Sequence, residues 1–222
     1  MNAVATISAA VLFTGLTLSG PVSTEPVNSI AAGVFHYGFD SSSNDLSGPQ
    51  TPGGIRVSAR DTSTLAIVYT RHFSDQWSLV LALGAPPTYK LKGEGIVTAL
   101  GDLGKARAIS PAVLLQRHFD LTGSLVPFVG IGASYNQYSS AHAFPALEAA
   151  LGGETAVHID GGFAPVLITG FDVVLSARLL TTLSVSFNDL DADITLNTSG
   201  IERNIAVDLD PVVYRLTLGF RF

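Results

Sequence analysis

The segment Tyr214-Arg-Leu-Thr-Leu-Gly-Phe-Arg-Phe222 sets Tyr214, Leu216, Leu218, Phe220 and Phe222 at every second position, with Arg215, Thr217, Gly219 and Arg221 between them. Side chains of a strand alternate between its two faces, so the segment predicts a strand with one wholly apolar face and one polar face. The apolar face runs to the last residue, where a soluble domain usually frays into polar ones. A terminal aromatic on such a strand fits a bacterial outer-membrane barrel, whose closing strand sets aromatics at the lipid–water boundary.

Composition points the same way. Of the 222 residues, 47% are hydrophobic and 14% charged, against about 25% charged in ordinary soluble domains. Yet no segment reads as a spanning helix, and the charge-free run Met1 to Thr24 is broken by Thr, Ser, Gly and Pro. The closed barrel is the other structure a bilayer permits. The absence of cysteine removes disulfides, thiolate metal sites and cysteine nucleophiles. A net charge of −6 argues against nucleic acid as a partner, since that needs a basic footprint. The apolar stretch Ala3 to Leu18, followed by Ser19-Gly20-Pro21, predicts a secretory signal over about residues 1–24, although no basic residue precedes it. Residues 25–222 are then one barrel domain in the outer membrane of a Gram-negative cell.

Working back from the C-terminus, alternating segments predict strands at Ile30–Phe39, Thr62–Phe73, Trp77 towards Leu91, Ala108–Phe119, Leu125–Asn136, Gly161–Leu175 and Leu179 to about Leu196. Pro86-Pro87 predicts a bend or bulge near a barrel rim. Short turns at 74–76, 120–124 and 176–178 alternate with long loops at 40–61, 92–107, 137–160 and 197–206. Eight antiparallel up-and-down strands with that asymmetry match an outer-membrane barrel, whose short turns are periplasmic and whose long loops are extracellular. Phe144 to Leu151, ended by Gly152-Gly153, predicts a short helix in the third long loop. Soluble eight-stranded barrels such as lipocalins put apolar side chains inside. Here the large aliphatics share one face and the small and polar residues the other, so the greasy face must point out to lipid.

Leu209-Asp-Pro211, Gly219-Phe-Arg-Phe222, Thr88 to Leu91, Pro111 and Pro127-Phe-Val-Gly-Ile-Gly-Ala133, in this order and spacing, resemble the OmpW family of small outer-membrane proteins. The resemblance covers most of residues 62–222, and residues 25–61 match it poorly. It implies passage of small hydrophobic molecules, including alkane-like compounds, through a narrow apolar lumen with lateral exit into the membrane. The partners expected are outer-membrane lipid, small hydrophobic solutes and, through the strand ending at Phe222, the outer-membrane assembly machinery.

Alternation places Val80, Ala82, Ala112, Leu114, Val166 and Ile168 in that lumen. It turns Gln116, His118, Asp172, Arg215 and Arg221 inward near the periplasmic end, with Arg71 at a rim. Charges in a narrow barrel must be paired, so this group predicts a polar plug that holds the barrel shut. No metal or cofactor is expected: His36, His72, His118, His142 and His158 lie far apart in sequence without metal-ligand spacing. Two other function classes stay open. One is a barrel enzyme acting on lipid, although the only His-x-Ser, His72-Phe73-Ser74, falls at a periplasmic turn, on the wrong side for an outer-leaflet substrate. The other is a structural or adhesion barrel without transport. Deleting Phe222 is expected to lower the amount of barrel inserted in the membrane, read by fractionation and immunoblot; normal levels would show that the terminal aromatic is dispensable.

Overall fold

A computed structural model describes residues 28–119 and 124–222. The expected signal segment and most of the 120–124 turn lie outside the described residues. In chain order the strands are β1 (Asn28–Phe39), β2 (Ser42–Ser43), β3 (Ile55–Ala59), β4 (Thr62–His72), β5 (Trp77–Gly84), β6 (Thr88–Gly95), β7 (Asp102–Ile109), β8 (Ala112–His118) and β9 (Leu125–Ala143). After the helix α1 (Pro145–Leu151) come β10 (Thr155–Ile159), β11 (Gly162–Val174), β12 (Leu179–Asn188), β13 (Asp191–Thr198), β14 (Ile201–Asp208) and β15 (Pro211–Arg221).

Eight of these strands close an antiparallel barrel in the order β1-β4-β5-β8-β9-β11-β12-β15. The last strand returns to the first, from Ser29 opposite Arg221 to Phe39 opposite Pro211. Closure leaves no free edge, which the hydrocarbon core requires because it offers no water to unpaired N–H and C=O groups. Leu65, Ile67, Leu81, Leu83, Val113, Ile131, Leu167, Leu216 and Leu218 project outward and exposed, while Val68, Val80, Ala82, Leu114 and Ile168 project inward and buried. That is the reverse of a soluble barrel, and lipid covers the outer face. Aromatics frame the band. Phe73, Trp77, Phe119 and Phe222 lie towards the short-turn end, and Tyr135, Phe163 and Phe187 towards the other. Arg117 spreads over both Trp77 and Phe119, at 5.7 and 5.6 Å from the ring centres.

The long loops are not loops throughout. β6 and β7 form a hairpin, as do β13 and β14, with β3, β10 and β2 added at their edges. The expected third strand stops at Gly84 and restarts at Thr88, and the expected fourth is broken at Ser110-Pro111. The expected seventh ends at Asn188 and restarts at Asp191, while the last resumes at Pro211 after Leu209-Asp210. By contrast β9 runs unbroken for 19 residues. At about 3.3 Å per residue that is roughly 60 Å, far more than an apolar band about 25 Å tall needs even when tilted. Its lower half pairs with β8 and β11, and its upper end pairs with β7. The outer hairpins enclose an apolar core of their own, including Leu46, Val57, Leu103, Leu147, Ile194, Leu196 and Val207. The helix is shorter by one residue than expected. Pro145 takes its first turn and Gly152, at φ 90°, ends it, with the Gly152 N–H donating to Glu148 O at 2.9 Å. Leu147 is buried in the outer core and Leu151 packs against it, so the helix's apolar face serves packing.

Leu218→Arg, which sets a guanidinium on the lipid face, is expected to destabilise the barrel by about 2–4 kcal/mol, and Leu218→Ala much less. Urea unfolding in phospholipid vesicles measures both; equal losses would contradict the outward orientation of this side chain.

Candidate functional site

Inside the wall, inward positions of neighbouring strands leave a closed-bottomed apolar space. Val80, Ala82, Leu114, Val166 and Ile168 are buried there and Ala112 is half-buried against them; all but Val80 line the main cavity. Its free space is about 90 Å³, several times the roughly 10–15 Å³ one water occupies on that measure. Glycine makes room. A Cβ at Gly130 would come within 2.8 Å of Gln116 Cγ, and one at Gly132 within 2.0 Å of Val113 O. The absent side chains let Gln116 and Leu114 lie flat across β9.

Towards the outer rim the lining turns aromatic, a feature that alternation alone did not single out. Tyr37, Phe39 and Tyr89 form a cluster in which Tyr89 meets Phe39 edge-on at 5.5 Å and Tyr37 edge-on at 6.1 Å. Leu91, Ile159 and Ile194 line both this cavity and a smaller one among the outer hairpins. The apolar lining therefore continues from the outer core to the barrel interior.

Beneath the cavity, which Arg215 reaches, lies a polar layer that serves as its floor. Gln116, His118, Asp172 and Arg215 are all buried, and Arg221 is half-buried. Ser78 Oγ and His118 Nε2 share a 2.9 Å hydrogen bond, Thr182 Oγ1 donates to Asp172 Oδ1 at 2.6 Å, and His118 Nδ1 stands 3.7 Å from Asp172 Oδ2. Phe128, 1% exposed, carries His118 on one side at 5.6 Å and the Arg215 guanidinium at 6.0 Å. His72 also joins, its ring 5.3 Å from His118. Two histidines far apart in sequence thus converge. Ser78, Thr182, Phe128 and His72 were missed because a strand pattern gives the face of a residue, not what faces it across the barrel. Their only sequence signal was inward parity. Arg71 lies exposed at the rim and donates to Asn28 Oδ1 at 2.9 Å.

Ser78, His118 and Asp172 are the residue types of a hydrolase triad, but the geometry differs. The His118–Asp172 separation exceeds hydrogen-bond length, and Ser78 is 0% exposed, so no substrate carbonyl reaches its oxygen. At the outer rim, Asp189, Asp191 and Asp210 are exposed and place ligand oxygens within 4.8 Å of one another, a set suited by type to a hard divalent cation. Partial desolvation and then the nearby Asp208, Asp189, Asp210 and Asp193 raise the pKa of Asp191 above the usual carboxylate value.

The wall loses its strand pairing at a seam beside β5 and β8. Pairing of β5 with β8 ends at Ala82 opposite Ala112, and β6–β7 pairing begins at Thr88 opposite Arg107. Between them lie Pro86, Pro87 and Pro111, none of which has an N–H to donate. A single long bond, Ala108 N to Pro87 O at 3.4 Å, crosses there. Pro165 in β11 borders a lipid-side groove with Ile131, Leu167 and Phe187; the ladder to β9 continues in register past it, while pairing with β12 stops at Val166 opposite Asn188.

The sequence model of the OmpW family matches residues 29–222. The chain belongs to the OmpW family. The match takes in most of the 25–61 region that the sequence motifs left out. Among similar proteins are the dibenzothiophene metabolism operon protein PahQ of Pseudomonas aeruginosa, 26% identical over 86% of each chain, and outer membrane protein W of Escherichia coli, 24% identical over 77% of each. The fold matches the crystal structure of OprG from Pseudomonas aeruginosa with a TM-score of 0.80, at 21% identity over 89% of this chain and 97% of that one. It also matches AlkL in lipid bilayers, with a TM-score of 0.67 at 17% identity over 91% and 94%. This OmpW-family chain is accordingly an outer-membrane barrel of a Gram-negative bacterium.

Asp172→Leu leaves the buried cations of the floor without their carboxylate and is expected to cost about 3–5 kcal/mol in urea unfolding. Adding Arg215→Leu is expected to restore a good part of the loss. A double variant no better than Asp172→Leu alone would show that the two groups do not act on each other.

Proposed function

We propose that the barrel is a passive conduit for small hydrophobic molecules, which enter from outside through the aromatic vestibule and leave sideways into the membrane. The observation that carries this reading is the apolar cavity above a buried polar floor, beside a seam where the wall loses its strand pairing. An ion entering such a space must shed its water, whereas a small apolar molecule gains by leaving water. The floor, with Phe128, His118, Asp172 and Arg215 packed across it, stands in the way of straight passage. The seam flanked by Pro86, Pro87 and Pro111 offers the alternative, since opening it breaks few backbone hydrogen bonds. The relative named for a dibenzothiophene metabolism operon supports a greasy solute, because dibenzothiophene is a flat, apolar heterocycle. Val80, Ala82, Ala112, Leu114, Val166 and Ile168 would form the solute's path. Gln116, His118, Asp172, Arg215 and Arg221 would form the plug beneath it.

Leu114→Asp or Ile168→Asp is expected to lower uptake of apolar compounds several-fold in cells producing the variant, with the amount of folded barrel unchanged. Planar-bilayer recordings of the unmodified protein should show little steady conductance. Large conductance together with unaltered uptake by both variants would make the protein a general aqueous pore.

A further inference from the structure

We infer that the lumen floor is a carboxylate-binding site, so that the preferred solutes are amphiphiles with an anionic head and an apolar tail, bound head-down on Arg215. The inference rests on the reading of the lumen as a solute space and names the chemical class it takes.

Arg215 is the one charged residue among those lining the main cavity. It is 7% exposed, its flat guanidinium lies over Phe128, and its Nε has no hydrogen-bond partner. A buried cation with an idle donor is costly unless something else supplies the acceptor. Asp172 is the nearby acid, yet its carboxylate is engaged by Thr182 and flanked by His118. Neither Arg215 nor the half-buried Arg221 forms an ion pair within 4.0 Å of Asp172, the one buried carboxylate among the described residues. Three more buried atoms near this end lack partners and can donate: Gln116 Nε2, Arg221 Nε and Ser184 Oγ. Ser184 also lines the cavity and sits directly opposite Arg215 in the β12–β15 ladder.

These idle groups are of one kind. They donate, and no unpartnered acceptor accompanies them except the Ser184 hydroxyl, which can act either way. Above them the walls, Leu114, Val166 and Ile168, are aliphatic. A carboxylate matches a guanidinium with two oxygens in a plane, and its charge compensates the buried cation of Arg215. An alcohol offers a weaker, neutral acceptor, and an ammonium offers no acceptor at all. The same site therefore discriminates among molecules that share a tail.

The test uses the protein in phosphatidylcholine nanodiscs, dialysed against radiolabelled octanoate, 1-octanol and octylammonium, with empty nanodiscs as the blank. Saturable octanoate binding at least tenfold tighter than that of octylammonium is expected. Arg215→Gln, checked for folding by its gel mobility before and after heating, should weaken octanoate at least tenfold and 1-octanol less than twofold. A second measurement needs no variant. The carbon-13 carboxyl signal of bound octanoate should titrate at least one pH unit below that of the free acid. Equal binding of octanoate and octylammonium, an unshifted titration, or undiminished octanoate binding in folded Arg215→Gln would each overturn the inference. If 1-octanol binds and octanoate does not, only the carboxylate assignment falls. If no probe binds, the solute space itself is refuted.

Discussion

Everything in this molecule depends on the backbone having nowhere to bond except to itself. Within hydrocarbon an unpaired N–H or C=O costs several kcal/mol, so the wall must close and every strand must find two neighbours. The pairing of β1 with β15 accomplishes this in continuous register from Ser29–Arg221 to Phe39–Pro211. Once closed, eight strands leave a narrow bore. That bore explains why inward positions are so often Gly, Ala, Ser or Val, and why larger inward groups lie flat over the glycines of β9.

The same narrowness makes the polar floor possible. A ring and a guanidinium packed across a small bore fill it, which a wider barrel would leave as water. Phe128 is the keystone of that layer, touching both His118 and Arg215, and it stands on β9, the one strand that continues without a break into the outer hairpins. The vestibule, the cavity and the floor are consequently held by one element.

Much of this was legible in the residues. Alternation in Trp77–Gly84 and Tyr214–Phe222 gave both strand and face, and the same parity turned Val80, Leu114, Ile168, His118 and Arg215 inward, where they lie buried. The helix at Pro145–Leu151 followed from its apolar spacing and its Gly stop. The outer hairpins were not legible. Thr88–Gly95 and Ile201–Asp208 carry charges among their apolar residues, because water lies on one side and a small private core on the other. The partners within the floor were hidden for a different reason. Ser78 and His118 are 40 positions apart, and only the closure of the barrel and its register bring them together.

The placement of the proline-flanked seam between β5 and β8 bears on the integrity of the closed wall. Going round the wall, it lies nearly opposite the β1–β15 junction, with β1–β4 and β4–β5 between them on one side and four pairings on the other. The line where the chain must zip shut once, at birth, is thus kept apart from the line with the fewest bonds to lose. Were the second to loosen, as the proposed sideways exit of a solute requires, the first would stay paired from Ser29–Arg221 to Phe39–Pro211.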